Sequence, residues 1–157
     1  MEALLERLTE YGVDFVLVGG YAAVAHGDTL LTQDLDVCFR FTPENLGKLE
    51  AALKDLHPIH RMTPQRLPLD LSAPSTSSLK NLYLNTDWGP LDCLGRITGL
   101  GIFDEVLAQS EELELPWGRI HILTIQALIQ AKEAINRPRD QVAVEELRQI
   151  MGMQDGS

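Results

Sequence analysis

The chain has 157 residues, 45% hydrophobic and 23% charged, which suits one globular domain with a core of its own. Lys plus Arg number 13 against 23 Asp plus Glu, and the formal net charge of −10 argues against non-specific nucleic-acid binding and against an anionic membrane surface. No apolar run reaches membrane-spanning length, no basic stretch followed by an apolar one opens the chain, and two cysteines make no disulfide framework, so a reducing, cytoplasmic setting is expected.

Residues 2–11 carry Leu4, Leu5, Leu8 and Tyr11 on one helical stripe, and Gly12 stops that helix. Residues 13–18 (VDFVLV) are a short apolar run, predicted to be a buried strand broken by Gly19-Gly20. Residues 21–26 form a short Ala-rich helix with Gly27 as its C-cap. Residues 34–40 (DLDVCFR) are a second strand, with Asp34, Asp36 and Cys38 on one face and Leu35, Val37 and Phe39 on the other. Pro43 opens a helix carrying Leu46, Leu49, Leu53 and Leu56, which ends before His57-Pro58.

Residues 57–79, with four prolines and many Ser and Thr, read as a long loop of the kind that usually serves function. Residues 81–86 and 91–94 form a hairpin across Asp87-Trp88-Gly89-Pro90. A helix over 103–109 follows, then a hairpin of 112–115 and 119–123 across Pro116-Trp117-Gly118. Thr124 can N-cap a helix to about Asn136, and a last helix runs from Pro138 to Met151. The predicted class is α+β: a mixed sheet flanked by helices, with a C-terminal helix pair. One domain spans 1–151, its core 1–123 and its helices 124–151, with 152–157 as a flexible tail.

The chemistry concentrates in residues 16–37, VLVGGYAAVAHGDTLLTQDLDV. A strand ends in two glycines and a helix begins at once. Glycines let backbone approach a ligand, and a helix N-terminus offers free N–H groups to phosphate. Asp34 and Asp36, at i and i+2 on the next strand, project from one face. Carboxylates held that close repel each other unless a cation intervenes, and Mg²⁺ takes both carboxylate and phosphate oxygens. A phosphate cradle beside carboxylate-bound Mg²⁺ suits a nucleoside triphosphate.

The run Leu17-Val18-Gly19-Gly20, Ala22, His26-Gly27 and Thr32-Gln33-Asp34-Leu35-Asp36 resembles the signature of the nucleotidyltransferase superfamily, whose fold is shared with DNA polymerase beta. Within it the chain is most similar to minimal nucleotidyltransferases and to the nucleotidyltransferase toxins of abortive-infection type. Leu91-Asp92-Cys93-Leu94 fits the pattern around the family's third carboxylate, and Leu128-Ile129-Gln130-Ala131-Lys132, Arg137-Pro138-Arg139-Asp140 and Leu147 fit its C-terminal helical segment. The likeness covers most of the chain, with a gap over residues 57–79. Two departures are Leu30-Leu31, where many relatives carry an arginine, and Gly-Gly in place of the Gly-Ser of other members.

The resemblance implies Mg²⁺-dependent transfer of a nucleoside monophosphate from an NTP to a hydroxyl of a protein, a tRNA or a small molecule. Two ions, Mg²⁺ or Mn²⁺ in its place, would be held by Asp34, Asp36 and Asp92 as metal ligands and catalytic residues. Gly19, Gly20 and Lys132 would bind the nucleotide's phosphates. A second reading, favoured by the small size and the missing arginine, is a weakly active or non-catalytic member of a toxin–antitoxin pair beside a helical partner protein. A tRNA acceptor would need a local basic patch, for which Arg61, Arg66 and Lys80 are the nearby candidates.

Other notable residues have structural readings. Arg137 and Asp140 straddle a helix start as a cap or ion pair, Thr32 can bond local backbone, and His26 suits a helix C-terminus. His57 and His60 match no zinc spacing, Cys38 and Cys93 read as small buried hydrophobes, and Trp88 and Trp117 as packing residues in hairpin turns.

Overall fold

The computed structural model describes residues 2–27, 34–62, 65–71 and 79–155. The readings placed on Thr32 and on Leu30-Leu31 lie outside the described residues. Helix α1 (Glu2–Glu10) buries Leu4, Leu5 and Leu8, and Gly12, at φ +72°, turns the chain into strand β1 (Phe15–Val18). Helix α2 (Gly19–Ala25) starts on the two glycines themselves, two residues earlier than the sequence predicts. Strand β2 (Leu35–Phe39) returns antiparallel to β1. Helix α3 (Pro43–Leu53) has proline in its first turn, and the Thr42 hydroxyl accepts from Asn45 N–H. A single 3₁₀ turn (Lys54–Leu56) closes it at His57.

The start of the long loop holds regular structure. Its residues Ile59–His60 form a short edge strand, β3, which pairs with β4 (Asn81–Thr86). Strand β4 turns through Asp87-Trp88 into β5 (Gly89–Leu94), and a small two-stranded ribbon of β6 (Arg96–Ile97) and β7 (Gly101–Ile102) follows. That ribbon has too little hydrophobic alternation to be read from sequence. It leans on a later helix, Ile125–Ile135, from which Gln130 donates to Gly99 O at 2.9 Å. Helix α4 (Phe103–Leu107) leads to the hairpin β8 (Ser110–Leu115) and β9 (Gly118–Leu123).

Helix α5 (Ile125–Ile135) is N-capped by Thr124, whose hydroxyl accepts from Ala127 N–H, and helix α6 (Pro138–Asp155) completes the pair. Helix α6 runs past the predicted end at Met151, through Gly152 to Asp155. One glycine costs a helix only about 1 kcal/mol, and the preceding turns are anchored by Leu147, Ile150 and Met151 against the core. Among the described residues no helix is long and apolar enough to cross a membrane.

The main sheet has seven strands in the order β3-β4-β5-β2-β1-β9-β8 and is mixed: β2 runs parallel to β5 and β1 parallel to β9, while the other neighbours are antiparallel. Leu17, Val37, Cys93, Leu82 and Leu84 are fully buried in its central strands. Each such side chain contributes roughly 1.5–3 kcal/mol by leaving water. The buried Asn45 side chain accepts from Asp14 N–H at 2.8 Å and donates to Asp14 O and Arg40 O. It thereby pins the start of β1 to the end of β2. At the other end of that strand pair, β1 runs into α2 directly over the start of β2.

Candidate active site

Register decides which side chains meet. Asp36 stands opposite Val18 on β1 and opposite Asp92 on β5. In a parallel ladder, residues in register share a face, so Asp36 and Asp92 project side by side. Asp34 lies just before β2, exposed, and its negative charge acts on both of the other carboxylates. The structure thus brings Asp36 and Asp92 together, with Asp34 at the rim.

The electrostatics are those of crowded acids. Burial, the charges of Asp92 and Asp34, and a hydrogen bond to Asp92 push the Asp36 carboxyl up to about 7. Burial also raises Asp92, against the pull of Arg61, whose Nη2 stands 2.6 Å from Asp92 Oδ1. Arg61, read from sequence as a basic loop residue able to contact substrate or RNA, was not foreseen as a partner of Asp92. It sits just past β3, and its approach depends on that edge strand pairing with β4. The available signal was a long loop with an Ile-His pair able to join a sheet.

Gly19 has φ +69°, and a Cβ placed there would come within 2.5 Å of Asp36 Oδ2. Only glycine lets the β1–α2 corner close over the acid pair. Gly19 and Gly20 line a cleft of about 430 Å³ together with Asp34, Asp36 and Lys132. Its far wall is α5 and α6, including Leu128, Ala131 and Asp140. The size suits a small-molecule ligand.

Arg137 and Asp140 occupy the start of α6 in the structural role read from sequence. Asp140 Oδ2 accepts from Arg137 N–H at 3.1 Å and from Arg137 Nε at 2.6 Å, and Oδ1 accepts from Nη2 at 3.2 Å. Those bonds, helped by the nearby Lys132 charge, hold the Asp140 carboxyl below the usual range. His26 Nε2 lies 2.8 Å from Leu123 O, tying the end of α2 to the end of β9. Cys38 and Cys93 are free and fully buried, and burial pushes the Cys38 thiol up to about 12. The Arg7 guanidinium stacks on Trp88 at 4.6 Å, and Trp117 Nε1 donates to Glu2, so both tryptophans pack against α1.

The three basic residues suggested for RNA go to different places. Arg61 pairs with Asp92, Arg66 is exposed at φ +47°, and Lys80 lines a separate cavity of about 630 Å³ with Arg40 and Arg96.

Among the described residues no three His, Cys, Asp or Glu side chains close into a metal cage. The Asp36 carboxylate instead lines an open cleft, and the buried Asp92 carboxylate lies beside it in register, so the two set hard oxygens side by side. That donor set fits Mg²⁺, which is usually held by one or two carboxylates plus substrate phosphates and retained waters.

The fold has a counterpart of known structure. The lincomycin-bound crystal structure of the lincosamide antibiotic adenylyltransferase LnuA is similar over 95% of this chain and 94% of that one, with a TM-score of 0.61 and 17% sequence identity. The chain has the nucleotidyltransferase fold. No protein-family model and no curated protein matches the sequence. In this chain the mixed sheet carries the acid pair and the glycine corner, and the C-terminal helices wall the cleft beside them.

Proposed function

We propose that the protein is a Mg²⁺-dependent nucleotidyltransferase that moves a nucleoside monophosphate from an NTP to an acceptor hydroxyl. The observation that carries this reading is the Asp36–Asp92 pair, in register on neighbouring strands beneath a glycine corner. Asp36 and Asp92, with Asp34 at the rim, would hold the metal. Gly19 and Gly20 leave room for polyphosphate to approach backbone, and Lys132 supplies a point charge across the cleft. Bound ions would lower the pKa of the acceptor hydroxyl and stabilise charge at the α-phosphorus as pyrophosphate leaves.

Among acceptors, a small hydroxylated molecule is favoured over tRNA. The net charge of −10 opposes RNA, and the similar structure is an antibiotic adenylyltransferase with lincomycin bound. Two free, buried cysteines suit a reducing cytoplasm.

Thermal melting with Mg²⁺ and each NTP tests the site without knowledge of the acceptor. A nucleotide at 100 times its Kd should stabilise the fold by about 2.7 kcal/mol, only with metal present, and Asp36→Asn should abolish the shift. If no NTP shifts the transition with Mg²⁺ or Mn²⁺, the reading is wrong, and a non-catalytic member of a toxin–antitoxin pair becomes the better account.

A further inference from the structure

Arg61 is held in three ways. Its backbone N–H donates to Tyr83 O at 2.8 Å, its Nη1 donates to Leu84 O at 3.2 Å, and its Nη2 meets Asp92 Oδ1 at 2.6 Å. The guanidinium is largely buried, as is the Asp92 side chain. Two bonds to strand β4 therefore aim a fixed positive charge at the deeper member of the acid pair.

A guanidinium only donates, and it stays charged at any working pH. The Asp92 oxygen it contacts cannot also take a close divalent cation without setting two positive centres against each other. The strand that delivers Arg61 is short, with β3 pairing only Ile59 with Asn85 and His60 with Leu84. We propose that Arg61 is a positioning residue that holds Asp92 in the place of a divalent cation and is displaced from it when metal binds. This inference rests on the proposed metal site.

With metal absent, Arg61 offsets part of the repulsion between Asp92, Asp36 and Asp34. With metal bound, its contact with Asp92 becomes a competitor. Removing the charge should therefore weaken the metal-free fold and strengthen metal binding. A merely structural arginine would not produce that opposed pair of effects.

The experiment is Mn²⁺ titration calorimetry without nucleotide, paired with thermal melts, on wild type, Arg61→Gln, Arg61→Lys and Asp36→Asn. Arg61→Gln should bind Mn²⁺ at least about tenfold more tightly, as loss of one largely buried competing charge implies. Its melting deficit should close as Mn²⁺ saturates. Arg61→Lys, which keeps the charge, should stay near wild type. Unchanged or weaker Mn²⁺ binding by Arg61→Gln, with binding abolished in Asp36→Asn, overturns the role of Arg61 and leaves the metal site standing. Absence of Mn²⁺ binding by both wild type and Arg61→Gln overturns the metal site itself. Should Arg61→Gln fail to fold without metal, recovery of its transition on adding Mn²⁺ supports the proposal and continued unfolding refutes it.

Discussion

Two arginine–aspartate pairs serve this molecule in opposite ways. Asp140 is met by Arg137 three residues away, receives three hydrogen bonds, and is held acidic. Asp92 is met by Arg61 from a distant strand, is crowded by Asp36 and Asp34, and is raised despite its arginine. The first pair is complete: its charges satisfy each other and cap a helix. The second is outnumbered, with one guanidinium against three carboxylates, and the imbalance leaves demand for more positive charge. An ion pair alone does not mark a functional site; an unbalanced one beside a cleft marks a candidate.

The comparison breaks most visibly in activity. If Asp92 is a metal ligand as proposed, Asp92→Asn should reduce pyrophosphate release by more than about 10³-fold, since its loss would forfeit several kcal/mol of metal stabilisation. Asp140→Asn should leave that rate within about tenfold and instead lower stability by about 1 kcal/mol, the usual value of a helix-start cap. Equal losses of activity in the two variants would dissolve the distinction.

Acid–base behaviour sharpens it. The Asp36 value of about 7 in the folded state lies above its unfolded value, so the folded state holds the extra proton. Stability from this group is full below about pH 4 and is lost as pH rises from there through 7, by about 4 kcal/mol in metal-free protein. Asp140, held low, contributes stability above the usual carboxylate range and loses it as pH falls. Denaturant melts from pH 4 to 8 should show the decline in wild type and a flatter profile in Asp36→Asn. An identical slope in that variant would assign the decline elsewhere.

A smaller effect is expected at the glycine corner. Gly19→Ala places a methyl 2.5 Å from Asp36 Oδ2 at φ +69°, which should cost roughly 1–2 kcal/mol of stability and shift the acid pair. Gly47→Ala, on α3 with open space around the new methyl, is the control and should not destabilise. If both variants melt alike, the close approach of Gly19 to Asp36 has no energetic weight.

Much of the fold was legible because its signals are local. The proline that starts α3, the threonine that caps α5, the left-handed Gly12 and both hairpin turns act within four residues of themselves. The ribbon β6–β7 and the edge strand β3 were not legible, since two-residue strands leave no periodicity to read. Of the site, Asp34, Asp36, the glycines and the candidate Asp92 could be named from pattern and resemblance. Arg61 could be named only as one basic residue in a loop.

By itself, the sequence determined which segments are helical or extended, where they stop, and that acids, glycines and a lysine are available for phosphate chemistry. Those outcomes follow from side-chain period, capping and turn geometry, which are settled over one or two turns of chain. The tertiary structure decided that β5 lies parallel to β2 with Asp92 beside Asp36, and that β3 brings Arg61 to the same place. Strand register and order are set by how the whole buried sheet packs, because a shift of one residue would send its apolar face into water.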